Sequence, residues 1–245
     1  MGRRCSESRI SKHRGVKLDV PGISNNAACW TDCAPLARRS SCVRAAAGLV
    51  AQDGAYDEYV SDPAKPVPYV EHASTDLDES YMHGDQRFAA GWPDVLTYRA
   101  DPLDENLTVA GPLDVRLQVS SSGTDSDFVV KLIDEYDSHG PAYQQLVRGE
   151  PMRAKFRNSF SHAEALQPNQ LTSIHYTMPD INHTFLRGHR VVVQVQSSWF
   201  PLSDVNPQTF VQIPTARAAD FVKAAQRVFH TPQAMSSLVL QVTSK

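Results

Sequence analysis

Leu113-Asp-Val-Arg-Leu-Gln-Val119 alternates strictly: Leu113, Val115, Leu117 and Val119 fall on one face, and Asp114, Arg116 and Gln118 on the other. A period of two with apolar residues on one side is the pattern of a half-buried β-strand. Working outward, Ser120-Ser-Ser-Gly-Thr-Asp-Ser126 is a polar turn cluster. Asp127-Phe-Val-Val-Lys-Leu-Ile-Asp134 after it is β-branched and aromatic, as expected of a central strand buried more on one face. Ser173–Met178, Arg190–Ser197 and Ser236–Thr243 read as further strands, separated by Gly111-Pro112, His139-Gly-Pro141, Pro179-Asp180 and Arg187-Gly188. Many short strands divided by turn residues predict an all-β, two-sheet sandwich of jelly-roll (galactose-binding-domain-like) type over residues 95–245.

Three stretches read differently. Ala218, Phe221, Val222, Ala225 and Val228 recur at helical spacing, which predicts one short helix over Ala216–Val228. Residues 51–94 are extended: Pro63, Pro66 and Pro68 interrupt Tyr56–Tyr69, so this stretch is expected to wrap over the sandwich and not to run as a ladder strand. Residues 1–50 show neither period and hold all four cysteines, Cys5, Cys29, Cys33 and Cys42. They carry nine basic and three acidic side chains, against 15 and 24 in residues 51–245. The expectation for 1–50 is a basic, irregular, disordered arm with unpaired thiols: no C-x2-C pair is present, and His13 is the only histidine near enough to complete a zinc set.

Composition narrows the function classes. With 24 basic and 27 acidic residues the chain lacks the basic excess on which nucleic-acid affinity rests. No apolar run reaches the ~18 residues of a membrane span, so no membrane partner is expected. Arg3 and Arg4 are not followed by the apolar core of a secretory signal, which leaves a cytoplasmic location by default.

Several constellations invite chemistry. The only G-x-S triplet, Gly22-Ile-Ser24, continues into Asn25-Asn26 with no strand before it, so it is no nucleophile elbow. Ser126, between Asp125 and Asp127, lacks the glycines of one. His72 and His83 lie in the extended segment. His183 and His189 flank Thr184–Gly188 and would approach one another if both ends of that turn faced the same way, but a metal site needs more ligands than two. Asp125, Asp127 and Asp134 suit calcium by type but lack a D-x-D-x-D-G loop, so turn capping is the stronger reading. Trp199 and Phe200, with Trp92 and Tyr98, would make a sugar-binding platform if exposed, whereas buried core aromatics are the commoner fate. No catalytic, cofactor-binding or metal-binding residue is assigned.

Taken together, Tyr59–Tyr69, Asp85-Gln-Arg-Phe88, Pro93–Tyr98, Ser122–Asp134, His183-Thr-Phe185, Gly188-His-Arg190, Gln196–Leu202 and Asn206-Pro-Gln208 resemble, in this order, the C-terminal domain of the cocaine-esterase-like and Xaa-Pro dipeptidyl-peptidase serine hydrolases. Among these the α-amino-acid ester hydrolases, whose relatives include glutaryl-7-aminocephalosporanic-acid acylases, are the nearest in pattern. The resemblance runs from about residue 50 to the C-terminus and implies a non-catalytic jelly-roll sandwich. It also implies that the nucleophilic serine and its triad sit on an α/β-hydrolase domain, which is expected to be the partner and has no counterpart in this sequence. The chain is therefore expected to be inactive alone, as a truncated gene product would be, and to self-associate through the face that such a partner would cover. Relatives are often periplasmic or secreted. The alternative is a free-standing jelly roll that binds carbohydrate or protein.

Overall fold

The computed structural model describes residues 15–19 and 42–50 as strand backbone, and residues 55–72, 77–137 and 142–243. The strands among these are β1 (Gly15–Asp19), β2 (Cys42–Val50), β3 (Tyr56–Ser61), β4 (Leu96–Ala100), β5 (Leu107–Ser121), β6 (Asp127–Tyr136), β7 (Tyr143–Arg153), β8 (Thr172–Phe185), β9 (Arg190–Gln196), β10 (Ala224–Thr231), β11 (Ala234–Met235) and β12 (Ser237–Thr243). In one layer β5 pairs along its length with β8. Its other side takes β12 and then β10, which extend to β2, β3 and β11. The second layer runs β4-β9-β6-β7, antiparallel throughout. β1 pairs with β2 and touches β4 through Gly15 and Val16 alone. The result is an all-β sandwich of two antiparallel sheets that do not close into a barrel.

Alternation along β5 sends Leu113, Val115, Leu117 and Val119 into the main core. There they meet Phe128, Val130 and Leu132 of β6, Val191, Val193 and Val195 of β9, and Leu238 and Leu240 of β12. Each such side chain contributes about 1.5–3 kcal/mol through removal from water. β6 and β9 are also buried on their second face. Val129, Ile133 and Val192 pack there with Leu146, Tyr69, Val70 and Trp199. The cover is made by residues 62–72 and 77–95, which include the helix α1 (Arg87–Ala90) and seat Val67, Ala89 and Val95 as a small cluster. Double-sided burial explains why β6 reads as a near-continuous apolar run.

Three expectations change. Ala216–Val228 is not a helix: 3-10 turns occupy Ile213–Thr215 and Ala218–Asp220, and β10 begins at Ala224. The buried residues of β10 are Ala224, Gln226, Val228 and His230. Two of these are polar, so a true period of two looked like a partial period of 3.6. The extended segment does contain a ladder strand, because Tyr56–Ser61 pairs with β10 over six residues and the prolines begin only at Pro63. Within residues 1–50, read as irregular, the backbone forms β1 and β2. Cys5, Cys29, Cys33 and His13 lie outside the described residues.

The connection from β9 to β10 is long and has little regular structure, yet it is fixed. The Gln208 carbonyl accepts from the N–H groups of Thr124 (3.1 Å) and Asp125 (3.4 Å), and a Cβ at Gly123 would stand 2.3 Å from that oxygen. Gly123→Ala is therefore expected to destabilise the chain by about 1–3 kcal/mol, as overpacking does. A urea midpoint unchanged from that of the parent would contradict this packing.

Candidate functional site

Asp125 and Asp127 lie at the start of β6 and Asp134 near its end, and each is engaged by protein groups. Asp127 accepts from Arg153 Nε (3.1 Å) and from Asn206 Nδ2 (2.7 Å). Burial pushes the Asp127 carboxyl up, and Arg153 opposes the shift. Asp125 accepts from the Ser126 N–H at 2.9 Å and is ion-paired with Lys155 Nζ at 3.2 Å. Two carboxylates with their own cations are structural braces. They pin the start of β6 to β7, to the turn after it and to the Asn206–Gln208 loop.

At the other end Asp134 joins the two histidines that the sequence set apart. His183 Nε2 meets Asp134 Oδ2 and His189 Nδ1 meets Asp134 Oδ1, each at 2.9 Å. His189 also stacks on Tyr136, and His183 stands edge-on to Phe185. The end of β8 and the start of β9 do bring these imidazoles together, but each spends a nitrogen on a separate oxygen of one carboxylate. Among the described residues no group of three or more His, Cys, Asp or Glu side chains is disposed to hold a metal ion. His72 pairs with Asp78 at the surface, and His83 is exposed.

The aromatic platform is not assembled. Tyr98 is buried in the main core and Trp199 in the second cluster, while Trp92 packs beside Val95. Only Phe200 of the four is largely exposed. Trp199 forms part of a different feature, which the sequence reading missed. Lys131, in the middle of β6, has no exposed surface and lies 5.1 Å from the Trp199 ring centre, where it donates to Gln86 Oε1 at 2.9 Å. Gln86 also donates its N–H to the Gln144 carbonyl (2.7 Å) and its Nε2 to the Gly84 carbonyl (3.2 Å), and its carbonyl accepts from Gln194 Nε2 (3.3 Å). The covering segment is thus latched to β6, β7 and β9 through one glutamine. A lone charge inside the apolar run Phe128–Ile133 was the available signal.

Between the edges of β7 and β8 runs an open groove of about 580 Å3, lined by Pro151, Met152, Phe156, Phe160, Tyr176 and Pro179 among others. The two edges are clipped together by Tyr176, whose hydroxyl donates to the Glu150 carbonyl at 3.1 Å, and by Arg148, which donates to the Asp180 carbonyl at 3.1 Å. Among the described residues, no histidine held by a carboxylate also bonds a serine hydroxyl.

Two outcomes follow from this chemistry. Arg153→Ala leaves Asp127 buried without its cation and is expected to cost about 3–5 kcal/mol, whereas Arg153→Met with Asp127→Leu should recover most of that loss, both read by urea unfolding. Burial lowers the Lys131 amine to about 7, below its value in an unfolded chain. The unfolded chain therefore binds more protons between that value and about 10.4, and stability should climb from pH 7 to pH 9 by on the order of 1 kcal/mol per pH unit from this group. Lys131→Met should flatten that climb, and an unchanged slope would exclude Lys131 as its source.

The chain has counterparts among known proteins. Residues 59–239 match the family model described as the X-Pro dipeptidyl-peptidase C-terminal non-catalytic domain. The chain is 31% identical over 192 residues to the cocaine esterase of Rhodococcus sp. (strain MB1 Bresler), a match covering 77% of this chain and 32% of the esterase. Among solved structures it is similar to an α-amino acid ester hydrolase, at 46% identity and TM-score 0.73, over 79% of this chain and 33% of the hydrolase. It is also similar to an aminopeptidase from the marine sediment archaeon Thaumarchaeota archaeon, at 42% identity and TM-score 0.74, over 78% and 33%. The chain spans about a third of the length of each relative, and it belongs to the X-Pro dipeptidyl-peptidase C-terminal non-catalytic domain family.

Proposed function

We propose that this chain is the non-catalytic β-sandwich of a serine hydrolase acting on α-amino-acid esters or amides, or on Xaa-Pro dipeptides, with bond cleavage carried by an α/β-hydrolase domain as its partner. The observation that carries this reading is the family match over residues 59–239 to a domain described as non-catalytic. The local chemistry supports it. Among the described residues the half-buried histidine–carboxylate contacts around Asp134 include no serine hydroxyl, and Ser126 Oγ is buried against Ser197 Oγ at 3.4 Å. In this reading residues 51–94, which supply β3 and the strap, and residues 95–245, which supply the rest of the sandwich, act as one unit, and residues 1–50 lie outside the family match. Exposed apolar side chains at Leu77, Met82, Phe160, Phe200 and Phe210 supply area for the partner or for self-association.

The test is direct. The purified chain should neither turn over phenylglycine methyl ester or Gly-Pro-p-nitroanilide nor react with a fluorophosphonate. A stoichiometric adduct on one of its own serines would overturn the proposal.

A further inference from the structure

β12 reads Ser237-Leu-Val-Leu-Gln-Val-Thr243, without a charge, glycine or proline. Short uncharged runs of β-forming residues are the sequence signature of strands that pair with copies of themselves, and an open edge along such a run is an association site. On one side β12 pairs with β5, with a shift of register between Val239 and Val242. On the other, every residue from Ser237 to Thr243 stands opposite a residue of β2, from Gly48 back to Cys42. β2 takes β1 as its further neighbour. Both lie ahead of residue 59, where the family match starts. The strand on this side of β12 therefore comes from a part of the chain that the family match does not include.

We propose that the outer edge of β12 is a strand-acceptor surface and that Cys42–Val50 is its occupant, a cap in cis that keeps it from pairing with β12 of a second copy. Register favours this occupant. Each residue of β12 from Ser237 to Thr243 has a β2 residue opposite it, Arg44 falling opposite Gln241, and the far side of β2 is taken by β1, so this edge is left with no free strand. The acceptor surface depends on strand pairing alone and owes nothing to a hydrolase partner.

The native Cys42 stands opposite Thr243. Directly opposed residues of antiparallel strands have Cα atoms about 4.5–5.5 Å apart, within the span of a disulfide. In the full chain carrying Thr243→Cys, mild oxidation should link Cys42 to the introduced thiol within one molecule, seen as a single cross-linked peptide pair from the monomer peak. Linkage of the introduced thiol scattered over Cys5, Cys29 and Cys33, or a bond between the introduced thiols of two chains, would overturn the proposal. In a second arm, Ala45→Pro with Ala47→Pro should raise amide exchange at residues 238–242 at least tenfold and produce dimers or larger species in light scattering, with β6 exchange unchanged. A monomer with unaltered β12 exchange would equally overturn it. The disulfide arm leaves β2 unsubstituted, so it does not depend on how the proline variant folds.

Discussion

β6 has no solvent side. Its inward residues fill the main core, and its outward residues would lie open to water without the cover formed by residues 62–72 and 77–95. A sheet face of this kind needs a cover, and a cover with few regular hydrogen bonds needs an anchor. Gln86 is that anchor, since both its backbone and its side-chain polar groups are engaged. Lys131 beneath it is a costly choice for a buried strand. Its amine meets a glutamine oxygen and an aromatic face, and neither of these contacts is a carboxylate. Such a group fixes where the strap sits, because an apolar cover alone would slide at little cost.

The opposite construction holds the loop between β9 and β10. There, carboxylates and amides do the fixing: Asp127 with Arg153 and Asn206, and Gln208 with Ser61 and Gln226. Long connections are ordinarily the mobile part of a sandwich. This one is tied by buried polar groups at Asn206 and Gln208 to three strands, and its aromatic residues Phe200 and Phe210 remain at the surface. Rigid backbone with outward apolar side chains is the arrangement from which a docking surface is built.

Much of this architecture is legible in the order of residues. The alternation of Leu113–Val119 placed every side chain of that stretch correctly, because a half-buried strand advertises its two faces. The run Phe128–Ile133 reads as a central strand buried more on one face, and the burial of its second face under the strap is not legible from the run alone. The failures have a common physical origin. β10 buries Gln226 and His230, which meet Gln208 and Asp57 from distant parts of the chain, and no local pattern reveals such neighbours. Their polarity disguised the period. The latch was half legible: Lys131 stands out as a lone charge in an apolar run, but Gln86, 45 residues away in sequence, looks like an ordinary surface residue, so the partner was hidden. The spacing of His183 and His189 left their approach conditional on how the turn between them is oriented, and the carboxylate that both meet lies on a third strand. Pattern reads faces well and reads partners poorly.

The clash that would follow any side chain at residue 123 has a wider consequence. The floor of the β9–β10 connection, from Asn206 to Phe210, is locked to the turn at 122–125 from both sides. Residues 212–220 make only short-range turns and lie mostly at the surface. Lengthening or recolouring of this loop over evolutionary time would have to be confined to that outer arc. The sandwich thus offers a mutable rim around an immutable seat, and new contacts can be tried there without disturbing the strands that bear them.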